Sequence, residues 1–228
     1  MRLSWFRLVA RLALGLGLVA GATALPGADL PPAGAVAPGR TVLAHWAFDD
    51  AIGPLCLDDG PAALDAALEY PAPGLRRVSG VFGSAQGFSG NHKLRVVGGP
   101  AVGGTSAVSI TAWVLPADLT GFREILRKED ADQRILFSFQ ADGTILSLGL
   151  NIGGYVECDA PVEPSQVADG RWHLCAATFD GRTIRVYFDG AEIGSLDRPG
   201  TIAAGGPAPT CIGSSDGGEC FQGQMDEL

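Results

Sequence analysis

Between Asp169 and Leu196 the chain reads DGRWHLCAATFDGRTIRVYFDGAEIGSL. Two β-type runs, Trp172 to Phe179 and Thr183 to Phe188, are separated by Asp180-Gly181, and a third, Glu192 to Leu196, follows Asp189-Gly190. Asp-Gly between β-branched and aromatic runs is a strong hairpin signal, because glycine enters positive φ without steric cost. The stretch predicts a three-strand antiparallel meander, and any fold for the whole chain must contain it.

The same period of two recurs on both sides. Thr41 to Phe48 alternates, with Val42, Ala44, Trp46 and Phe48 on one face, and predicts a first strand. Ser106 to Leu115 gives the longest clean alternation, and Pro116 is expected to end it. Shorter β runs are read at Ser84 to Phe88, Lys93 to Val97, Glu124 to Lys128, Ile135 to Gln140, Thr144 to Asn151, Tyr155 to Asp159, Thr210 to Gly213 and Phe221 to Leu228. Ala51 to Val78 reads mostly as loop, with a short helix or strand at Ala62 to Glu69. Many short strands punctuated by turns, without a convincing helix, predict an all-β fold of two antiparallel sheets, a sandwich or jelly roll.

The chain opens with Arg2, Arg7 and Arg11 ahead of an apolar run, Leu12 to Ala22, and a small-x-small pattern at Ala22-Thr23-Ala24. Residues 1–24 therefore read as a signal peptide, residues 25–40 as a Pro/Ala/Gly-rich linker and residues 41–228 as one domain. The apolar run is shorter than a bilayer span, so a secreted, periplasmic or cell-surface product without membrane insertion is expected. With the three leader arginines set aside, 13 basic residues face 25 acidic ones, a net charge of −12. That balance argues against nucleic acid and anionic membranes as partners.

An exported chain with five cysteines suggests disulfides, and the odd count leaves one over. Cys211 and Cys220 flank the turn GSSDGGE, so a bridge there would staple a hairpin. Cys158 has Cys175 or Cys56 as candidate partners; Cys175 shares strand parity with Ala177 and Phe179, which also suits a buried core thiol.

Six stretches, AHWAFDD, GVFGSAQGFSG, SITAWVLP, DGRWHLCAATFDG, IRVYFDGAEIG and CIGSSDGGECFQGQMDEL, occur here in the order found in laminin-G-like, concanavalin A-like jelly-roll domains. The chain resembles that family over about 190 residues. Two departures stand out: Cys175 replaces the more usual aliphatic residue, and the last strand stops at Leu228 directly after Asp226-Glu227, a shortening expected to expose a sheet edge.

In such jelly rolls the terminal strands are neighbours, and the resemblance implies a structural calcium in some relatives. Asp49 or Asp50 with Asp226 or Glu227 are the candidate ligands; the competing reading is of solvated turn acids, since calcium takes six to eight oxygens. Some glucanases share the fold and place paired carboxylates at alternating positions on one strand. Asp130 and Asp132 are spaced in that way but lie in a turn-like segment, so catalysis is not expected. His45, His92 and His173 have no metal-ligand spacing, and His173 reads as a strand residue bonded near a turn. Trp46, Trp113 and Trp172 are expected to be core anchors, with Phe122, Tyr155 and Phe221 the better exposed aromatics. The expectation is a non-catalytic recognition module binding a glycan or an extracellular protein surface, with a glycosidase or a structural envelope protein as alternatives.

Overall fold

A computed structural model describes residues 41–50, 53, 55–69, 76–97, 105–130, 134–203 and 206–228. The expected leader and linker lie outside these residues, as does Asp132. No helix among the described residues is long and apolar enough to cross a membrane.

From Leu43 to Leu228 the chain forms one unit of two antiparallel sheets. The larger has eight strands in the order β1 (Leu55–Cys56), β2 (Ala66–Glu69), β5 (Lys93–Val96), β14 (Thr210–Ile212), β7 (Arg123–Lys128), β8 (Ile135–Gln140), β9 (Ile145–Asn151) and β10 (Tyr155–Pro161). The smaller has seven, in the order β13 (Ala191–Asp197), β12 (Thr183–Phe188), β11 (His173–Phe179), β6 (Val108–Asp118), β15 (Gln222–Asp226), β4 (Ser84–Ser89) and β3 (Arg76–Ser79). One helical turn, α1 (Pro164–Val167), links β10 to β11. The two-sheet antiparallel architecture expected from the alternation is the one observed.

Alternation builds the core directly. Phe137 and Phe139 from β8, Leu146, Leu148 and Leu150 from β9, and Ile184 from β12 are all buried. The opposite parity of each strand faces outward, and that outward set on the larger sheet carries the polar groups discussed below. The β11–β12–β13 meander closes at Asp189-Gly190 with φ of 46° and 87°, the double positive-φ turn whose twist matches a hairpin.

Several expectations change. Thr41 to Phe48 forms no strand: Trp46 makes a reciprocal backbone pair with Leu228 (2.8 and 3.2 Å), while the neighbouring His45 carbonyl accepts from Asp59 N–H. A ladder needs partners on successive residues, and the last strand ends where the first pair forms. That strand exposes no edge either, because β15 is flanked by β6 and β4. Pro116 does not end β6; it pairs with Gly223 where the register slips past Ala117, so the missing N–H falls in an already irregular ladder. Trp46 is a core anchor, buried and donating to Leu64 O at 3.0 Å, whereas Trp113 and Trp172 are half-buried.

The expected disulfides are not formed, and all five thiols are free. In the hairpin after β14, Phe221 N–H donates to Gly213 O, and this register sets Ser214, not Cys211, opposite Cys220. Accordingly Cys220 Sγ lies 3.5 Å from Ser214 Oγ, while Cys211 Sγ faces Asp216. Cys158 in the larger sheet points at the Ile184 carbonyl of β12, one strand away from Cys175 on β11. Burial pushes the Cys158 and Cys211 thiols up to about 11, which keeps them protonated and unreactive.

Candidate functional site

Two polar groupings among the described residues concern the candidate ligands and the sheet surface. The first is the loop Gly80 to Ser84, where Asp226 Oδ2 accepts from the Val81 and Phe82 amides (2.8 and 3.1 Å) and Asp49 Oδ1 from Ser84 N–H (2.7 Å). Gly80 and Gly83 make room: a Cβ on Gly80 would collide with Asp226 Oδ2 and one on Gly83 with Asp49 Oδ1. Burial pushes the Asp226 carboxyl up to about 7, against the pull of the Phe82 amide, and its Oδ1 is buried with no hydrogen-bond partner. Asp50 is elsewhere, accepting from Leu57 N–H at 2.7 Å and pairing with Arg77 at 3.4 Å. Glu227 is bonded to His45 Nε2 at 2.9 Å.

Among the described residues no group of three or more His, Cys, Asp or Glu side chains is arranged to hold a metal ion. Asp49 and Asp226 nonetheless suit a hard cation, because the orphaned Oδ1 is an acceptor with nothing to accept from. Asp50 does not belong to that set. Further ligands would have to come from backbone oxygens or water.

The second place is the outward face of the larger sheet. Its register aligns Glu124, Ser138, Ser147 and Asp159 in one row across β7, β8, β9 and β10. The adjacent row runs Arg95, Cys211, Arg127, Leu136, Gly149 and Glu157. Glu157 and Asp159 thus alternate on one strand with their carboxylates outward, while Val156, Cys158 and Ala160 face the core. Sequence reading missed this pair, although YVECDAP carries the spacing. Gln140 Nε2 donates to Glu157 at 3.0 Å and Ser147 Oγ to Asp159 at 2.7 Å.

Toward the sheet centre the face becomes ionic. Arg127 donates to Glu124 (2.5 Å), Glu219 (2.7 Å) and Glu129 (2.9 Å), and Arg134 also reaches Glu129. Burial pushes the fully enclosed Glu124 up to about 8, despite Arg127 beside it. Lys93 and Arg95 pair with Glu69 at 3.0 and 2.8 Å and share Asp216.

The three aromatics expected to be exposed divide. Phe221 is fully buried, edge-on to Phe88 at 6.0 Å, because backbone bonds to Gly213 and Gly90 pin it inside the sandwich. Tyr155 lies across Gly149, where a Cβ would strike its hydroxyl, and Arg134 sits 4.7 Å from its ring centroid. Phe122 is 43% exposed. The β7–β8 register pairs Arg123 with Phe139, which sets Phe122 beside Gln140 at the rim of the polar face. Its loop is fixed to the β8–β9 turn through Gly121 and Asp142, whose side chain accepts the Gly121 amide at 2.6 Å.

Asp130 accepts from Lys128 Nζ (2.6 Å) and from the Ala208 amide (2.7 Å), while Asp132, considered with it, lies outside the described residues. His173 is locked between Asp189 (2.8 Å) and Asp169 (3.0 Å) and stacked on Phe188, as expected for a scaffold residue near a turn.

The family model described as the concanavalin A-like lectin/glucanases superfamily matches residues 88–228. The chain belongs to that superfamily. No curated protein matches it in sequence. Among solved structures it is similar to domain 4 of AbnA, a GH43 extracellular arabinanase from Geobacillus stearothermophilus, in complex with arabinotriose. That match has 20% identity and a TM-score of 0.63, covering 82% of this chain and 90% of that one. It is also similar to the binding domain of Paraclostridial Mosquitocidal Protein 1, with 14% identity, 82% and 47% coverage and a TM-score of 0.60. A third is the CBM40 of Ruminococcus gnavus IT-sialidase bound to α2,6 sialyllactose, with 12% identity, 63% and 89% coverage and a TM-score of 0.50. At these identities the likeness is one of fold.

Proposed function

We propose that this chain is an exported, non-catalytic recognition module that holds a glycan against the outward face of its larger sheet, at the end marked by Phe122, Gln140, Glu157 and Asp159. The observation that carries this reading is an exposed aromatic, Phe122, at the rim of the face on which rigid strands hold the outward carboxylates of Glu157 and Asp159. A sugar presents an apolar ring face and a fringe of hydroxyls, and those two surfaces call for these two kinds of partner. The arabinotriose complex of the similar AbnA domain supports a glycan as the ligand. The expected leader supports export.

Two features favour binding over hydrolysis. Glycoside cleavage needs a protonated carboxyl in contact with the leaving oxygen. On this face Glu124 is raised to about 8, but it is enclosed beneath Arg127 and Glu219. Asp130, half of the acid pair considered from sequence, is tied down by Lys128 and the Ala208 amide.

Calcium belongs to the same proposal as a structural ion: Asp226 Oδ1 and Asp49 would hold it, and it would neutralise a buried acid and stiffen the loop from Gly80 to Ser84. A ligand that binds only the folded state raises stability, so the melting temperature should rise from chelator to millimolar Ca²⁺. An unchanged melting temperature removes calcium from the account.

The functional test is a glycan screen on the purified chain and on Phe122→Ala and Asp159→Asn variants that melt like the parent. Binding weakened at least tenfold by both substitutions is expected. Glycan binding that both variants retain would move the site elsewhere, and no binding at all would remove the reading.

A further inference from the structure

We infer that this face selects uncharged glycans and turns away acidic ones, an inference that rests on the binding-face reading above. The reason lies in how its charges are matched. Recognition of a sugar carboxylate calls for a cation able to offer hydrogen-bond donors, best a guanidinium in two-pronged contact. Every cation that the described residues place on this face already has carboxylate partners. Arg127 is held by Glu124, Glu129 and Glu219, and Arg134 by Glu129, with the Tyr155 ring against its guanidinium. Lys93 and Arg95 share Glu69 and Asp216.

Drawing Arg127 away to meet an incoming anion would break its ion pairs with Glu129 and Glu219 and take the hydrogen-bond donor from Glu124, which has no contact with solvent. A buried carboxyl left without its partner is costly, so the network resists being borrowed.

The acids at the β10 end stand in the opposite position. Glu157 and Asp159 meet neutral donors, the Gln140 amide and the Ser147 hydroxyl. Asp159 is exposed and engages Ser147 through Oδ1. Carboxylates accept and do not donate, so they suit sugar hydroxyls and repel sugar carboxylates. In the row from Glu124 to Asp159 only Asp159 is open to solvent, with Glu157 half-buried beside it, so the β10 end is where a sugar would meet this face.

The test is calorimetric titration of the full chain with two matched probe sets. One is neutral (arabino- and cello-oligosaccharides) and the other acidic (oligogalacturonides and sialyllactose), and both run at low and at physiological salt. Binding of a neutral probe at least tenfold tighter than any acidic probe is expected, with the gap narrowing as salt rises. Asp159→Arg should weaken the neutral probe and strengthen the acidic set. Acidic probes that bind the parent chain as tightly as neutral ones overturn the selectivity while leaving the glycan-binding face intact. Failure of both sets in calorimetry, together with silence in the wider screen, overturns the binding face itself.

Discussion

Arg127 and Arg185 are the same residue on the outward faces of the two sheets, and their surroundings differ completely. Arg127 is 11% exposed and bound by three carboxylates, one of them fully buried. Arg185 is 31% exposed and meets Asp180 at 2.6 Å and Glu192 at 3.7 Å, both in contact with water. Around Arg185 the smaller sheet shows neutral side chains, among them Thr111, Trp113, Leu174 and Thr178, at the outward positions of β6 and β11. A solvent-facing sheet surface needs no ionic network to be stable. The charge matching on the larger sheet is thus a feature of that face and not of the two-sheet architecture as such.

The comparison can be broken most sharply by removing each arginine. Measured at about pH 9, where Glu124 is ionised, Arg127→Ala leaves that buried carboxylate without its counter-ion and should cost about 3–5 kcal/mol, read from urea unfolding. A loss below about 1 kcal/mol, the range of an exposed pair, would mean that the two faces are energetically alike.

Acidity offers a second probe. The Glu124 carboxyl is raised in the folded state to about 8 from an ordinary 4.5. Its protonated form is thus favoured by folding, so this stabilisation is complete below pH 4.5 and is lost as pH rises through 8. Over that window the parent chain should lose on the order of a few kcal/mol, because each tenfold difference in proton affinity between the folded and unfolded chain is worth about 1.4 kcal/mol. Asp226 adds to the same slope up to about pH 7. The comparison of parent with Glu124→Gln therefore isolates Glu124, and identical slopes would show that Glu124 does not titrate with folding.

Packing on the ionic face gives a smaller effect. Gly149→Ala places a methyl where the Tyr155 hydroxyl lies and should cost roughly 1–3 kcal/mol while pushing the ring off the sheet. A thermal melt coinciding with the parent would show that Tyr155 is not seated there. Arg185→Ala should cost least, about 0.2–1 kcal/mol, and that loss should shrink in about 1 M salt as the exposed pair is screened.

What could be read from residues alone follows the range of the interactions involved. The β11–β12–β13 meander is local: Asp-Gly turns and alternating runs determine it, and Thr183 to Phe188 matches residue for residue. Thr41 to Phe48 alternates just as well, yet its backbone bonds go to Leu228 and Asp59, residues on two different segments, and no continuous ladder forms. Phe221 shows the same lesson, since whether an aromatic beside a turn faces water depends on bonds to residues remote in sequence. Cys211 and Cys220 flank a turn in plain sight, yet a shift of register decides which residue stands opposite Cys220. Glu157 and Asp159 were within reach of a reading that noticed Val156, Cys158 and Ala160 between and around them. The matching of Arg127 to Glu219 was not, because it joins residues 92 apart.

The reciprocal backbone pair between Trp46 and Leu228 has a mechanical side. It brings the two ends of the folded unit together as antiparallel neighbours. Tension applied through both ends would open that pair first and then peel the layers, loading hydrogen bonds one after another instead of shearing many at once. A module tethered at one end alone would feel no such load, and a ligand on the larger sheet's outward face would pull on Phe122 and β10, far along the chain from either end. The attachment point, more than the strength of the sandwich, would then decide how the domain yields under flow.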